Sequence, residues 1–514
     1  MRTKNSIKNI IFGIGSQVTS TLVAFITRTV FINFLGAEYL GVEGLFSNIL
    51  SMLSLANLGM ESAIIFSLYK PLEEKNESEI KGYMNIYKVV YRIVGIFILI
   101  TGLMLIPYLP NIIKDGLDIH ENLIVIYMMF LLNSSISYLY IYKKSLLIAN
   151  QQQYIISKIH TYFILISNIL QIIMIITFRA YIPALLLQLV CRVLENIIIS
   201  KEAEKKFLFL KDKNIKGNLT IKNKKKLWKN IYSMLLYKIS GTVINSTDNI
   251  VISSFIGVAY VGIYSNYLLL ISTIRTFISY IFSSLTASIG NLMVSKDENK
   301  KEFMFNQILF SSFWIYGFCA IAINTLVNDF INIWIGSGYL LDNFTVFIIV
   351  INFYTTGMQS AATMYRDTTG LFSVGKYRPI IAAIINLGVS IILAPKLKIA
   401  GVIIGTIISR LCVYFWFDPY IVYKNIFNKS SREYFFTYIK YTVIIFLLGI
   451  STEILSNMIN IYNVYINFII KALMCFVFPN IILIFIYSKN KHYIYIVNLL
   501  PIKVLKMNKK LRMH

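Results

Sequence analysis

Residues that build metal sites, disulfide frameworks and catalytic centres are scarce in this 514-residue chain. The four cysteines all lie inside apolar runs and no two of them are close together, so they fit neither a disulfide framework nor a zinc-binding spacing. The four histidines are scattered and indicate neither a metal site nor a catalytic triad. We therefore expect no catalytic residues, no bound metal and no organic cofactor.

Acidic residues are also few, because 24 Asp and Glu stand against 49 Lys and Arg, which gives a formal net charge of +25. A chain this basic could bind nucleic acid, but nucleic-acid-binding proteins concentrate their basic residues on a soluble domain. Here the basic residues lie in short strips between apolar runs, which is typical of membrane proteins with basic cytoplasmic loops. We expect no nucleic acid among the partners of this chain.

Apolar residues, in contrast, are in excess. They make up 57% of the chain, and the mean hydropathy is +0.66. Soluble domains are about 45–50% apolar. An excess of this size cannot be buried in one aqueous core, so the sequence predicts a protein whose surrounding solvent is largely lipid.

The apolar residues form about fourteen runs, each long enough for a helix to cross a bilayer, which takes about 20 residues. The runs are 9–34, 43–69, 83–106, 122–148, 154–177, 181–200, 230–256, 263–292, 303–326, 343–365, 378–395, 399–423, 438–457 and 463–487. The first is too long for a signal-peptide core and lacks a small-residue cleavage site, so we expect it to be retained as a span.

The charge of the connecting loops predicts the orientation. With the N-terminus inside, the cytoplasmic segments hold about 37 of the 49 Lys and Arg, and the outer segments hold about four. An odd number of spans would destroy this asymmetry. We expect a multi-pass protein with both termini in the cytoplasm.

A long polar segment, KEAEKKFLFLKDKNIKGNLTIKNKKKLWKN, divides the chain near its middle. It is typical of a solvated basic linker that also helps to set the membrane orientation. The alternative interpretation is a binding site for anionic lipid headgroups. The last residues mix apolar and basic side chains and should lie along the inner membrane face. The predicted organisation is a six-helix lobe at 1–200, a basic cytoplasmic linker at 201–229, a second six-helix lobe at 230–423, two further spans at 424–487 and a basic cytoplasmic tail at 488–514.

One nine-residue pattern occurs twice, as FLGAEYLGV at 34–42 and FIGVAYVGI at 255–263. Each copy lies between the first and second spans of a predicted six-helix unit, where one glycine should end a helix and the other should start the next. The alternative is a chance likeness between two short helical hairpins. The repeat predicts two parallel halves related by an axis along the membrane normal, which transporters commonly place around a substrate cavity.

Three segments carry a resemblance to a known family. They are RTVFINFLGAEYLGVEGLFSNILSMLSLANLGMESAIIFSLYKPL (28–72), TDNIVISSFIGVAYVGIYSNY (247–267) and LKIAGVIIGTIISR (397–410). These segments resemble the bacterial polysaccharide flippases, the polysaccharide-transport branch of the multidrug/oligosaccharidyl-lipid/polysaccharide (MOP) exporter superfamily. Together with the layout of six, six and two spans, the resemblance covers essentially the whole chain.

The resemblance implies an all-α membrane protein of about fourteen transmembrane helices. In this family two pseudo-symmetric lobes form a V, as in MATE transporters, and spans 1, 2, 7 and 8 line a central cavity. It also implies a non-enzymatic flippase of the bacterial cytoplasmic membrane. The implied substrate is an oligosaccharide linked to a polyprenyl diphosphate of the undecaprenyl type. The implied partners are this substrate, membrane lipids, a polysaccharide polymerase and other assembly proteins.

The four spans that should line the cavity carry polar residues at steps of three and four, which places them on one helical face. A polar stripe facing lipid is costly, so we expect these side chains to face water or protein. Close helix packing by small hydroxyl residues is the alternative for the serines. The predicted polar lining consists of Gln17, Ser51, Glu61, Asn245, Asp248, Asn249 and Ser279.

Charged residues inside spans give the strongest functional signal. Arg275 and Arg410 lie near the middle of their runs, too far from either end to reach a headgroup region. Arginine matches phosphate oxygens with a planar fork, so a basic interior favours an anion such as a diphosphate. The predicted phosphate-binding residues are Arg28, Arg275, Lys238 and Arg410, and the resemblance also implies arginines on spans 1 and 8. Glu195 follows Arg192 by three residues, which indicates a structural pair.

Several alternatives stay open. A multidrug exporter shares the family fold, but it usually has twelve spans and acidic sites for cations. A peptidoglycan lipid II flippase would carry a chemically similar substrate. A polysaccharide polymerase is disfavoured, because the outer connections are short. The coupling ion is left open between H⁺ and Na⁺, with Asp248 as a candidate that could alternatively pair with Lys238 or an arginine.

Overall fold

The computed structural model describes residues 2–54, 60–113, 119–140, 142–210, 212, 215, 217–294, 297–369, 371, 375, 377–459 and 461–499. All regular secondary structure in these ranges is helical, which confirms the predicted all-α fold. The chain divides into two compact units. The first contains Met1–Asn266 and Lys376–Thr406, and the second contains Tyr267–Gly375 and Ile407–His514. These units are not the same division as the predicted lobes, linker, extra spans and tail, whose boundaries stay a prediction.

The helices follow one another with short connections. Those wholly in the first unit are α1 (Arg2–Leu35), α2 (Ala37–Leu53), α3 (Met60–Glu73), α4 (Glu77–Leu105), α5 (Leu109–Ile112), α6 (Leu123–Ser137), α7 (Tyr142–Ala149), α8 (Gln153–Phe178), α9 (Tyr181–Lys206) and α10 (Ile221–Phe255). The others are α11 (Val258–Val294), α12 (Glu298–Ile335), α13 (Asn343–Met358), α14 (Ser360–Thr368), α15 (Arg378–Arg410), α16 (Trp416–Val422), α17 (Arg432–Asn457), α18 (Val464–Tyr487) and α19 (Lys491–Leu499). Both α11 and α15 contribute residues to each unit.

Ten helices among the described residues are long and apolar enough to cross a membrane. The number becomes eleven when α6 and α7, which meet at a 50° bend, count as one span. The chain is thus a multi-pass membrane protein, while the count of fourteen stays a prediction. The predicted run 43–69 shows one source of the difference, because its helices α2 and α3 have only 17 and 14 residues.

Another source of the difference is α15, which belongs to a single 50-residue segment in that count. Lys398 has φ 50° and ψ −134°, which no helix interior adopts. Asn386 precedes Lys398 and Thr406 follows it, yet the Asn386 side-chain amide donates to the Thr406 hydroxyl at 2.8 Å. Residues 386 and 406 would lie about 30 Å apart in a straight helix. We conclude that α15 is a helical hairpin that reverses at Lys398, as the separate runs 378–395 and 399–423 predict.

The repeated pattern forms equivalent turns in its two copies. Gly36 separates α1 from α2 with φ 91°, and Gly257 separates α10 from α11 with φ 135°. Positive φ favours glycine, so the first glycine of each copy ends a helix as predicted. The expectation that Gly41 and Gly262 start the next helices is wrong, because α2 and α11 already begin at Ala37 and Val258.

The second glycine of each copy has another role. A Cβ on Gly41 would collide with the Val258 carbonyl oxygen, and a Cβ on Gly262 would collide with the Ala37 carbonyl oxygen. Ala37 and Val258 are equivalent positions of the two copies, so each copy contacts the other through the same pair of positions. Reciprocal contact of this kind is the mark of two-fold-related surfaces. The glycines are small enough to let the backbones of α2 and α11 touch.

The second unit has an aromatic core centred on α12. Phe305, Phe310 and Phe313 are fully buried on one side of this helix. The rings of Phe313 and Tyr441 stack with centroids 4.1 Å apart, which joins α12 to α17. Burial of large rings supplies most of the apolar area that holds such a unit together.

The short helix α19 also packs on α12. The Gln307 side chain of α12 makes two contacts with His492 of α19. Its Nε2 donates to the His492 carbonyl oxygen at 3.2 Å, and its Oε1 lies 3.0 Å from His492 Nδ1. The Tyr493 ring stacks on Trp314 at 5.5 Å. Residues 500–514 of the predicted basic tail lie outside the described residues, and its position along the membrane stays a prediction.

Candidate functional site

A polar cavity of about 360 Å³ lies inside the first unit. Its walls come mainly from α1, α8 and α9, which pack side by side, with further residues from α2 and α6. Five Arg, Glu or His side chains line it, namely Arg28, Glu43, His160, Arg192 and Glu195. Charge inside apolar helices is costly unless it is paired, so the partners of these groups define what the cavity can bind.

Glu195 is the centre of one cluster in this cavity. Its side chain is only 8% exposed, and both carboxylate oxygens have partners. His160 Nδ1 lies 2.7 Å from Oε1, and Arg192 donates to Oε2 at 3.1 Å. The predicted pairing of Arg192 with Glu195 is confirmed, and α8 adds a histidine to it. This cluster joins α8 to α9 at the cavity wall.

Arg28 is the centre of the second cluster. Its Nε donates to the side-chain oxygen of Asn266 at 2.6 Å, and its guanidinium also donates to the Ser265 hydroxyl. Ser265 and Asn266 lie in the part of α11 that belongs to the first unit. Glu43 of α2 interacts with Arg28 electrostatically. Arg28 therefore faces a polar cavity inside one unit, with an acidic residue close by.

Neutral polar side chains fill the rest of the lining. Thr27 donates to Asn168 at 2.8 Å, and Gln171 donates to Ser167 at 3.1 Å. The side-chain amides of Asn133 and Gln188 also line the cavity, and no described residue forms a hydrogen bond with either of them. The cavity thus offers both donors and acceptors that are not used within the described part of the first unit.

The predicted residue Asp248 lies in a separate polar network of the first unit. The Thr406 hydroxyl is 3.1 Å and 3.3 Å from the two oxygens of its carboxylate. Asn386 donates to Thr406, and Thr247 donates to Asn386 at 3.2 Å. The network joins α10 to both arms of the α15 hairpin. From the sequence, only Asp248 of this network is predicted as a site residue. Asn386 and Thr406 lie in the separate apolar runs 378–395 and 399–423, so nothing in the sequence pattern connects them to Asp248.

The other predicted lining residues of the first unit are dispersed. Gln17 is half-buried on α1 and contacts Thr21 at 3.5 Å. Ser51 is exposed on α2, and Asn249 is buried on α10. The side chains of Lys238, Glu61 and Asn245 lie outside the described part of the chain, so their predicted roles stay predictions.

The remaining predicted residues belong to the second unit. Arg275 and Ser279 lie on α11, and the Ser279 hydroxyl donates to the Thr276 carbonyl oxygen at 2.7 Å. Arg275 interacts electrostatically with Tyr316, and Arg410, half-buried at the end of α15, does so with Tyr438. A phosphate site that joins Arg28 with Arg275, Arg410 and Lys238 stays a prediction.

Several charged residues of these helices have partners that the sequence pattern does not reveal. Glu43 was not singled out, because it stands near the start of an apolar run. His160 is isolated in the sequence, since its partner Glu195 lies on the next helix. In the second unit, Lys471 of α18 pairs with Asp329 of α12 at 2.9 Å. Partners on different helices leave no spacing signal in the sequence.

The second unit contains a cavity of a different kind. It has a volume of about 340 Å³ between α12, α13 and α17, and its lining is mainly apolar. Two polar contacts lie in its lining: the Asn324 amide donates to the Glu453 carboxylate at 3.2 Å, and the Tyr354 and Thr442 hydroxyls are 3.4 Å apart. The polar, charged cavity of the first unit is therefore the stronger candidate for binding a hydrophilic ligand.

No protein-family model and no curated protein matches the sequence. Among solved structures, one described as the lipid II flippase MurJ in an inward closed conformation is 17% identical. The match covers 93% of this chain and 99% of that one, with a TM-score of 0.61. An inward-facing multidrug resistance MATE family transporter of the MOP superfamily is 14% identical over 77% of this chain and 93% of that one, with a TM-score of 0.63.

A point mutant of the Vibrio cholerae MATE transporter VcmN is 13% identical over 83% of this chain and 99% of that one, with a TM-score of 0.58. At these identities the likeness establishes the fold. The chain thus has the helical fold of MurJ and MATE transporters, as the sequence predicts.

Proposed function

We propose that the protein is a transporter of the MOP superfamily, and not an enzyme. Its proposed activity is to flip an oligosaccharide repeat unit, linked to a polyprenyl diphosphate of the undecaprenyl type, across the bacterial cytoplasmic membrane. The product would supply the assembly of a capsule, an O-antigen or an exopolysaccharide. Membrane lipids, a polysaccharide polymerase and other assembly proteins are its proposed partners, and both termini are proposed to be cytoplasmic.

The observation that carries this proposal is the placement of arginines within apolar helices of a transporter fold. Arg28, Arg275 and Arg410 all lie on such helices. A cation in an apolar helix is costly and indicates a functional anion or a partner. We assign the diphosphate chiefly to Arg275 and Arg410, which lie near the middle of their apolar runs. Their guanidinium groups can each donate two parallel hydrogen bonds to phosphate oxygens.

The proposed transport cycle makes and breaks no covalent bond. The diphosphate and sugar enter a cationic cavity while the polyprenyl chain stays in lipid, and the cavity then opens to the other side. The coupling ion is proposed to be H⁺ or Na⁺. Asp248 is the acidic residue we assign to it, because its carboxylate accepts from Thr406 within an oxygen-rich network that joins α10 to α15.

Two alternatives have specific support. A lipid II flippase is favoured by the coverage of the MurJ structure, which extends over 93% of this chain. A multidrug exporter is favoured by the MATE structures, but these cover only 77% and 83% of the chain. The substrate panel of the experiment below separates all three activities.

The test uses the full chain in proteoliposomes. These contain a fluorescent polyprenyl-diphosphate disaccharide, lipid II or an organic cation, and transfer between leaflets is read with a membrane-impermeant quencher. We expect transfer of the diphosphate disaccharide. Arg275→Gln and Arg410→Gln should each slow it about tenfold or more, since charge-assisted hydrogen bonds are lost.

The matched control is Arg432→Gln, because Arg432 is exposed at the first turn of α17. This variant should transfer the substrate at the rate of the unmodified protein. Transfer of lipid II alone, or of the organic cation alone, would replace the proposed substrate. Undiminished transfer by both interior variants would refute the assignment of the phosphate to Arg275 and Arg410.

A further inference from the structure

We propose that the cavity of the first unit is a binding site for a neutral, pyranose-sized saccharide, which makes it a sugar subsite separate from the diphosphate site. The inference rests on the proposed function insofar as the sugar belongs to the transported headgroup. The binding itself can be tested without any transport.

The first argument is the charge balance of the cavity. Two arginines, Arg28 and Arg192, are matched by two glutamates, Glu43 and Glu195. A site for a diphosphate needs a surplus of positive charge, and a site for an organic cation needs a surplus of carboxylates. The arginines and glutamates of this cavity are equal in number, so their charge does not favour either kind of ion. A neutral ligand rich in hydrogen-bonding groups suits it better.

The second argument is the mixture of donors and acceptors. Each sugar hydroxyl has one proton to donate and two lone pairs that accept. A hydroxyl that leaves water without a new partner costs about 1–3 kcal/mol, so a sugar that enters a membrane protein needs many partners. Arginine supplies donors, glutamate supplies acceptors, and an amide supplies both. The Asn133 and Gln188 amides are the groups whose hydrogen bonds remain available for a ligand, since no described residue uses them.

The third argument is the shape and the remaining lining. The volume of about 360 Å³ falls within the range of small-molecule sites, which is about 300–1,000 Å³. Phe31, Phe163 and Tyr181 add aromatic surface to the polar wall. An aromatic ring can pack against the C–H face of a pyranose while the polar groups bind its hydroxyls. Purely polar ligands would leave this surface unused.

The experiment measures sugar binding to the purified full chain in nanodiscs. The probes are the methyl glycosides of glucose, galactose and N-acetylglucosamine, with inorganic pyrophosphate as the anionic comparison. Saturation-transfer difference NMR should detect binding of at least one glycoside. Gln188→Ala and Asn133→Ala should each weaken that binding about threefold to tenfold. Because neither amide is hydrogen-bonded within the described chain, neither substitution breaks an internal hydrogen bond there.

The matched control is Asn352→Ala on α13 of the second unit, which should leave glycoside binding unchanged. Failure of all three glycosides to bind, or equal binding by the two cavity variants and the control, would overturn the inference. Loss of pyrophosphate binding in the cavity variants would overturn it as well, by showing that the cavity is an anion site.

The transport assay of the previous section distinguishes the two proposals. Glycoside binding that depends on Gln188 and Asn133, in a protein that flips no diphosphate-linked saccharide, would support the sugar site and refute the proposed function. Flipping that occurs without such binding would refute the sugar site alone.

Discussion

The ion pair of Arg366 and Asp418 is among the most deeply buried charge pairs described, with exposures of 6% and 2%. The guanidinium donates to the carboxylate at 2.8 Å, and Asp367 also contacts Arg366. Asp418→Asn removes the buried carboxylate and leaves Arg366 paired with the more exposed Asp367, so we expect it to destabilise the protein by about 1–3 kcal/mol. The measurement is the thermal unfolding midpoint in detergent.

The control for this prediction is Lys205→Ala, which breaks the pair with Glu202 at the end of α9. These side chains are 71% and 31% exposed, so the loss should stay below about 1 kcal/mol. Similar midpoints for the Asp418 and Lys205 variants would show that the buried pair adds no stability.

At the same scale, the sequence predicted charged residues better than it predicted their partners. The spacing of Arg192 and Glu195 predicts their pairing correctly, because residues three apart share one helical face. His160, which completes this cluster, lies on α8, and only the packing of α8 against α9 brings the ring to the carboxylate. Arg28 was singled out from its apolar surroundings, yet Glu43 beside it was not. Contacts between helices depend on rotation and depth, which periodicity within one helix does not determine.

At the scale of the helices, the glycine contact between α2 and α11 gives a sharp prediction. Gly262→Ala places a methyl group against the Ala37 carbonyl oxygen, which belongs to backbone and cannot rotate away. We expect a loss of about 1–3 kcal/mol, as for other overpacked sites, and a lower unfolding midpoint. The measurement is again thermal unfolding in detergent.

Gly388→Ala is the matched control, because Gly388 also lies within a helix of the first unit and a Cβ there meets no atom within 4 Å. Alanine favours helix more than glycine does, so this variant should be neutral or slightly stabilised. A Gly262 variant as stable as the Gly388 variant would mean that the helices separate without cost.

The docking of α19 should depend on pH. Burial and the neighbouring charge of Lys491 lower the pKa of His492 to about 4. The undocked helix, with an ordinary histidine pKa of about 6.5, therefore binds more protons between these values. Docking is fully stable above about pH 6.5 and weakens as the pH falls, by about 1 kcal/mol at pH 5.5.

Hydrogen exchange of the α19 amides, corrected for its intrinsic pH dependence, measures this effect. Protection should fall between pH 7.5 and pH 5.5 in the unmodified chain. His492→Gln has no titrating ring, so its protection should not change over that range. Equal pH dependence in both proteins would assign the effect to another group.

Helix boundaries illustrate what the apolar pattern can predict. The run 154–177 matches α8 within a residue or two, since both ends carry polar residues. The run 43–69 gave no sign that α2 ends at Leu53 and that α3 begins at Met60, because apolar residues continue through this region. The repeat predicted the turns at Gly36 and Gly257, but the reciprocal contact of Gly41 and Gly262 required the packed structure.

At the scale of the whole molecule, the number of membrane crossings depends on how the helices are divided. The count by length and composition treats Arg378–Phe427 as one span, although its 50 residues are too many for a single crossing. If the hairpin at Lys398 divides it into two spans, the count rises by one. Two hydrogen bonds join the arms of the hairpin. The Ser390 hydroxyl donates to the Val402 carbonyl oxygen at 3.0 Å, and the Asn386 amide donates to the Thr406 hydroxyl. We expect the Lys396–Lys398 turn and the start of the hairpin at Arg378 to lie on opposite sides of the bilayer.

This arrangement leads to a prediction about the whole chain. With cytoplasmic termini and an even number of spans, Lys398 should face the outside of the cell. In a variant without its native cysteines, Lys398→Cys should react with a membrane-impermeant maleimide in intact cells. Lys300→Cys, near the start of α12, should react only after the membrane is opened. The reverse pattern would invert the topology, and protection of both sites in intact cells would show that α15 does not carry the chain across the membrane to Lys398.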